Sequence, residues 1–112
     1  MKKLVIVWKS DNDIDINKFI LPYAYNSKLS NWFDEVEILI WGKSQVKVKD
    51  DQEIHKTIKK LLDEGVKIFA CKMCADSVGA TEVLEPLGVT VMYTGVYLSD
   101  NQKDSNVEVI TI

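Results

Sequence analysis

Five short apolar runs recur along the chain, separated by stretches in which apolar residues return at helical spacing or give way to polar ones. Leu4 to Trp8 is the first, continuous and rich in β-branched residues, as suits a strand buried on both faces of a helix-covered sheet. Ser10-Asp11-Asn12-Asp13 offers helix-capping side chains, and Ile16, Phe19, Ile20, Tyr23 and Ala24 then fall on one side of a helix. Pro22 sits inside that stretch. It has no N–H and crowds the preceding turn, so it predicts a kink or a restart. Val36 to Trp41 is the second strand, closed by Gly42. Asp50 and Asp51 offer an N-cap, Ile54, Ile58, Leu61 and Leu62 follow at i, i+4, i+7 and i+8, and Gly65 stands at the C-terminal cap.

Val66 to Cys71 is the third strand. Met73 to Val78 reads as a short helix stopped by Gly79. Thr81 is placed to cap a second short helix through Leu87, with Pro86 near its end and Gly88 beyond it. Val89 to Tyr93 is the fourth strand, Thr94 to Ser105 a polar crossover with a turn of helix around Leu98 to Lys103, and Val107 to Ile112 the fifth strand. Strands alternating with helices at this spacing predict βαβ units and a parallel sheet covered by helices. No internal repeat, low-complexity tract or linker interrupts the pattern, which predicts a single domain over residues 1–112.

Composition narrows the class. The chain has 112 residues, 46% of them apolar and 28% charged, in the range of a globular domain. A formal net charge of −3 without a basic stripe argues against nucleic acid as a partner. The apolar runs are far shorter than the ~20 residues of a membrane span, so no membrane partner is expected. The run after Met1-Lys2-Lys3 stops at Lys9-Ser10-Asp11 without a small-residue cleavage pattern, so it is read as a strand of a cytoplasmic protein and not as a signal peptide. Two cysteines close in sequence make no secreted disulfide framework.

Both cysteines lie in Phe69-Ala70-Cys71-Lys72-Met73-Cys74-Ala75-Asp76-Ser77-Val78-Gly79, where a strand gives way to a helix. Ligands of open parallel sheets bind outside the carboxyl ends of the strands. Trp8, Trp41, Cys71 and Tyr93 fall at those ends, with Lys9, Ser10, Gly42, Lys72 and Thr94 on the same rim. The helix after Cys71 points its free N–H groups at the sulfur and favours the thiolate, the nucleophile of sulfur transfer and disulfide exchange. Lys72 adds positive charge if its side chain turns inward. Cysteine also fills core space, and Trp8 and Trp41 suit the core as well as a ligand platform. Cys74, one helical turn on, is either a partner thiol or packing. His55, between lysines on the predicted second long helix, reads as a solvated surface residue. One C-x-x-C supplies two of the four usual zinc ligands, so no metal is expected. No G-x-S-x-G turn, phosphate loop or G-x-G-x-x-G is present, so neither a serine hydrolase nor a nucleotide cofactor is indicated. A thioredoxin-like arrangement is disfavoured: the C-x-x-C follows the third strand, and no cis-proline candidate precedes a late strand.

Four stretches together resemble the DsrE/DsrF-like family of small sulfur-relay proteins and their uncharacterised relatives. They are Lys3-Leu4-Val5-Ile6-Val7-Trp8; Trp32-Phe33-Asp34-Glu35-Val36 leading into Ile40-Trp41-Gly42; Gly65 to Ser77 with Gly79; and Leu87-Gly88-Val89 leading to Tyr93 and Gly95. The third carries most, a strand-ending cysteine with a glycine eight residues on. The resemblance covers essentially the whole chain. It implies a three-layer α/β/α sandwich around a five-stranded parallel sheet, of flavodoxin/Rossmann-like architecture. It implies homo-oligomers, dimers to hexamers, with the cysteines near subunit contacts. It also implies that Cys71 carries sulfane sulfur as a persulfide between donor and acceptor proteins, as a sulfurtransferase-type carrier. Cys74 departs from the relay members. Three readings follow: a cytoplasmic sulfur carrier on Cys71; a thiol-disulfide redox or sensing protein using Cys71 and Cys74; and a non-enzymatic oligomer binding a small ligand, with the cysteines incidental.

Overall fold

The computed structural model describes residues 1–112, and its five strands lie parallel in one sheet in the order β4-β3-β2-β1-β5. They are β1 (Lys3–Trp8), β2 (Glu35–Ile40), β3 (Lys67–Cys71), β4 (Thr90–Met92) and β5 (Val107–Thr111). Each sequence-predicted strand is present, with every end within one residue of its expected place. Alternation along the strands separates two faces. Leu4, Ile6, Trp8, Val36, Ile38, Ile40, Ile68 and Ala70 face the larger core, which the helices between β1 and β4 complete. Val5, Val7 and Leu39 face the other way, against Tyr97 and Leu98. β1 and β2 lie inside the sheet and bury five of their six residues each, which is why the β1 run is continuously apolar and the β2 run is broken only by the buried Glu37.

The predicted proline conflict resolves as a restart. α1 (Asp13–Asp15) passes into a π-helical turn over Ile16–Ile20, and α2 (Leu21–Leu29) begins with Pro22 in its first turn, where a missing N–H costs least. The Leu21 N–H reaches back to the Ile16 carbonyl across the widened turn. Helix α4 (Gln52–Asp63) forms as expected. The Asp51 carboxylate accepts from the Glu53 and Ile54 N–H groups at 3.0 and 3.1 Å, and Ile54, Ile58 and Leu61 are buried. Gly65 follows at a φ of +92°, a left-handed conformation that relieves the helix end.

Three expectations need correction. A helix, α3 (Ser44–Asp50), occupies a stretch where no element was expected; Ser-Gln-Val-Lys-Val-Lys-Asp shows no helical apolar stripe because its inward residues include Ser44 and Gln45. Thr81 does not cap α6 (Thr81–Leu87). Ala80 holds the cap position, and the Thr81 hydroxyl donates to Asp76 at 2.7 Å. His55 is half-buried, and its Nε2 lies 2.6 Å from the Val48 carbonyl, tying α4 to α3.

The crossover to β5 is a full helix, α7 (Gly95–Lys103), longer than the single turn expected. It is docked by a polar contact inside the smaller core. The Tyr97 hydroxyl donates to Glu37, a carboxylate only 3% exposed, and Lys3 Nζ lies 3.5 Å from the same oxygen. Burial, with the adjacent carboxylate second, pushes the Tyr97 hydroxyl far above its ordinary range, so it remains a donor. That contact fixes the helix whose N-terminal flank, Thr94, reaches the cysteines. No helix of the chain is long and apolar enough to cross a membrane.

Candidate functional site at the carboxyl ends of the inner strands

β3 ends at Cys71, which is also the residue capping the N-terminus of α5 (Lys72–Val78). Its backbone is extended (φ −65°, ψ 118°), as at an ordinary helix N-cap. This makes Met73 the second and Cys74 the third residue of the helix, the positions whose N–H groups an N-cap side chain meets. The neutral thiol closes no formal cap hydrogen bond. The Cys74 and Met73 N–H groups nonetheless approach its sulfur and favour its anion.

The Cys71 side of the chain is held from behind by a residue the sequence reading passed over. Gln45, fully buried on α3, donates from Nε2 to the Ile40 carbonyl at 3.1 Å and to the Cys71 carbonyl at 3.0 Å. One amide thus clamps the ends of β2 and β3 together. The Ser44 hydroxyl beside it shares its one hydrogen between the carbonyls of Trp8 at 2.8 Å and Trp41 at 2.9 Å, fixing α3 to the ends of β1 and β2. A pair of polar residues two positions past a strand-closing glycine was the available signal, and apolar periodicity does not register it.

From the other side comes Thr94, just past β4 and 1% exposed. Its Oγ1 is buried without a formal hydrogen-bond partner, and it faces the Cys71 sulfur closely enough to favour the thiolate. Burial pushes the Cys71 thiol up. The Cys74 N–H, the Thr94 hydroxyl, the Cys74 thiol and the Met73 N–H together outweigh it, and the net shift is downward. Cys74 moves the opposite way. Burial raises it, the Gly42 N–H partly offsets that, and the neighbouring Cys71 raises it further. Cys71 is only 6% exposed, while Cys74 is more open. Both are free thiols within hydrogen-bonding reach of each other. The spacing that places them on adjacent positions of one helical turn therefore yields an asymmetric pair: a sheltered, acidified thiol and a more accessible thiol held protonated.

Other sequence-predicted site residues lie elsewhere. Lys72 does not turn inward; its ammonium pairs with Asp76 at 2.9 Å, and Lys72 is not among the groups that lower Cys71. Trp8 is fully buried in the larger core and its indole N–H donates to the Ser10 carbonyl at 2.9 Å, so it is a core residue and not a platform. Trp41 is half-buried on the α7 side, in a groove of about 310 Å³ shared with Val7, Lys9, Gly42, Leu98 and Thr111. Tyr93, 67% exposed, stands beside Thr94 on the outer surface. Of the predicted rim, Gly42 and Thr94 meet the cysteines. No cluster of three or more His, Cys, Asp or Glu side chains suited to a metal ion is present.

Replacing Thr94 by valine keeps the shape and removes the hydroxyl. Cys71 loses a donor to its anion, so its pKa rises and a larger share stays protonated at neutral pH. We expect the pH midpoint of Cys71 alkylation to move upward and the rate at pH 7 to fall several-fold, read by iodoacetamide trapping in a Cys74→Ser background. An unchanged midpoint would remove Thr94 from the site.

The DsrE/DsrF-like family model matches residues 24–106. A conserved protein of unknown function from Bacteroides thetaiotaomicron, BT1422, superposes with a TM-score of 0.94 at 32% identity, covering 99% of this chain and 95% of that one. YchN from E. coli (TM-score 0.78, 18% identity) and MTH1491 of unknown function from Methanobacterium thermoautotrophicum (TM-score 0.76, 19% identity) share the fold, each over 100% of both chains. No curated protein matches the sequence. With the five-stranded parallel sheet, the helices on both its faces and a family match across most of its length, the chain belongs to the DsrE/DsrF-like family.

Proposed function

We propose that the protein is a sulfur carrier in which Cys71 takes sulfane sulfur from a donor persulfide and passes it to an acceptor protein. One observation carries this reading: at the end of β3, the Cys71 thiol is acidified by donors that converge on it despite its burial. Attack of the Cys71 thiolate on the outer sulfur of a donor persulfide, R–S–SH, forms the new S–S bond and expels the donor thiolate. The product persulfide is again an anion at neutral pH, so the same Met73 and Cys74 N–H groups and the Thr94 hydroxyl serve it. Burial shelters the adduct, with Trp41 and Tyr93 bordering the region and Trp8 contributing only through the core.

Cytoplasmic location and a homo-oligomeric state, dimer to hexamer, belong to this proposal. Exposed apolar side chains favour assembly: Met73, Tyr93 and Val96 surround the cysteine end of the sheet. A second copy over them would complete the shelter.

The test is intact mass after incubation with a sulfane-sulfur donor. Wild type should gain one sulfur, lost on treatment with a thiol reductant, and Cys71→Ser should gain none. Equal gain by Cys71→Ser, or none by wild type, would sink the proposal.

A further inference from the structure

We propose that Cys74 resolves the Cys71 persulfide: it attacks the Cys71 sulfur, expels the outer sulfur as hydrosulfide and leaves a Cys71–Cys74 disulfide that a small dithiol reductant reopens. The step rests on the carrier reading and adds an activity to it, the reductive release of sulfide.

The first observation is positional. Cys71 at the helix cap and Cys74 at the third helical position lie on one turn and act on each other's ionisation, so the inner sulfur of a persulfide on Cys71 stands next to Cys74. A nucleophile already placed against its target reacts as part of one molecule, with the entropy of approach removed. The second observation is independent of the helix end. Thr94 brings a buried hydroxyl without a formal partner to the same sulfur from beyond β4, a donor the fold leaves free to meet negative charge at the Cys71 site. The Gly42 N–H faces Cys74 and favours the thiolate that must form there.

The balance closes without a further reactant in the release step. Written at the anionic persulfide, Cys71–S–S⁻ and Cys74–SH become Cys71–S–S–Cys74 and HS⁻. The Cys74 sulfur bonds to the Cys71 sulfur and the bond to the outer sulfur breaks. The proton of Cys74 leaves on the outer sulfur, which takes the electron pair and is reduced to sulfide. Hydrosulfide is the conjugate base of a stronger acid than an alkyl thiol, and lower-pKa groups leave faster. The disulfide needs two electrons from the dithiol to return to two thiols. The reacting state carries one proton between the persulfide and Cys74, so release slows in acid, where both sulfurs are protonated, and a charged protein is isolated at mildly acidic pH.

The experiment is a single turnover. Reduced protein is loaded anaerobically with inorganic polysulfide at mildly acidic pH, desalted, and moved to mildly alkaline pH. Sulfide and intact mass are then followed for wild type, Cys74→Ser and Cys74→Ala. Wild type should release one sulfide per chain and finish two hydrogens lighter than the reduced protein, while both variants keep the added sulfur on Cys71 and release none. If wild type holds its sulfur as long as the variants, or peptide mapping finds the persulfide on Cys74, resolution is overturned and the carrier reading stands. If neither wild type nor the variants take up sulfur at all, the carrier reading itself fails and resolution fails with it.

Discussion

Trp8→Ala is expected to lower folding stability by about 3–5 kcal/mol, the range for deleting a large aromatic from a core. The residue is wholly buried at the end of an interior strand, on the face packed by the helices between β1 and β4. Truncation removes most of its apolar contacts and opens a cavity that neighbours on both sides of β1 cannot easily fill. It also leaves the Ser10 carbonyl without the indole donor at 2.9 Å. The backbone carbonyl of Trp8 keeps its bonds to the Trp41 N–H and the Ser44 hydroxyl, so the strand end should persist wherever the variant folds. The control is Tyr93→Ala on the exposed rim, expected within about 0.5 kcal/mol of wild type. Urea denaturation followed by circular dichroism measures both. A Trp8→Ala variant as stable as Tyr93→Ala but unable to take up sulfur would restore Trp8 as a ligand platform.

That contrast marks what the sequence could and could not show. The strands were legible because interior parallel strands are largely apolar on both faces, so Leu4 to Trp8 reads as an unbroken run and Val36 to Trp41 as one interrupted only by Glu37. α4 was legible because its buried stripe, Ile54, Ile58 and Leu61, is apolar and regularly spaced. α3 was not, because its inward side chains include Ser44 and Gln45, polar groups whose burial is repaid by strand-end carbonyls that only the folded sheet brings within reach. α7 was half-legible: it covers its face of the sheet chiefly through Tyr97 and Leu98, too few for a periodic pattern. Cys71 stood out because a strand end and a helix start coincide there. Apolar runs place strand ends but do not orient the side chains at them. Trp8 points into the core and Tyr93 into solvent, although one ends its strand and the other directly follows its own, and Lys72 found Asp76 one turn along its own helix.

Gln45→Leu should be the most damaging change among the polar residues around the cysteines. The substitution keeps roughly the length of the side chain and removes the one amide that donates to both the Ile40 and Cys71 carbonyls. Leaving a buried acceptor unsatisfied costs about 1–3 kcal/mol. Two such losses give about 2–6 kcal/mol. The Gln45 Oε1 is itself buried without a partner, so its removal returns part of this. A net loss of about 2–4 kcal/mol is expected, measurable by the same urea titration. The chemical consequence separates a clamp from simple packing. With the end of β3 released from β2, the Cys71 sulfur is no longer held against the Thr94 hydroxyl and the helix N–H groups. The alkylation midpoint of Cys71 should therefore move upward, as in Thr94→Val, but with a stability loss that Thr94→Val does not share to the same degree. Gln45→Glu supplies a second comparison: it keeps the size, replaces the donor by acceptors and should move the midpoint in the same direction. If Gln45→Leu loses stability while the Cys71 midpoint stays in place, the amide supports the fold alone and does not set the geometry of the thiol.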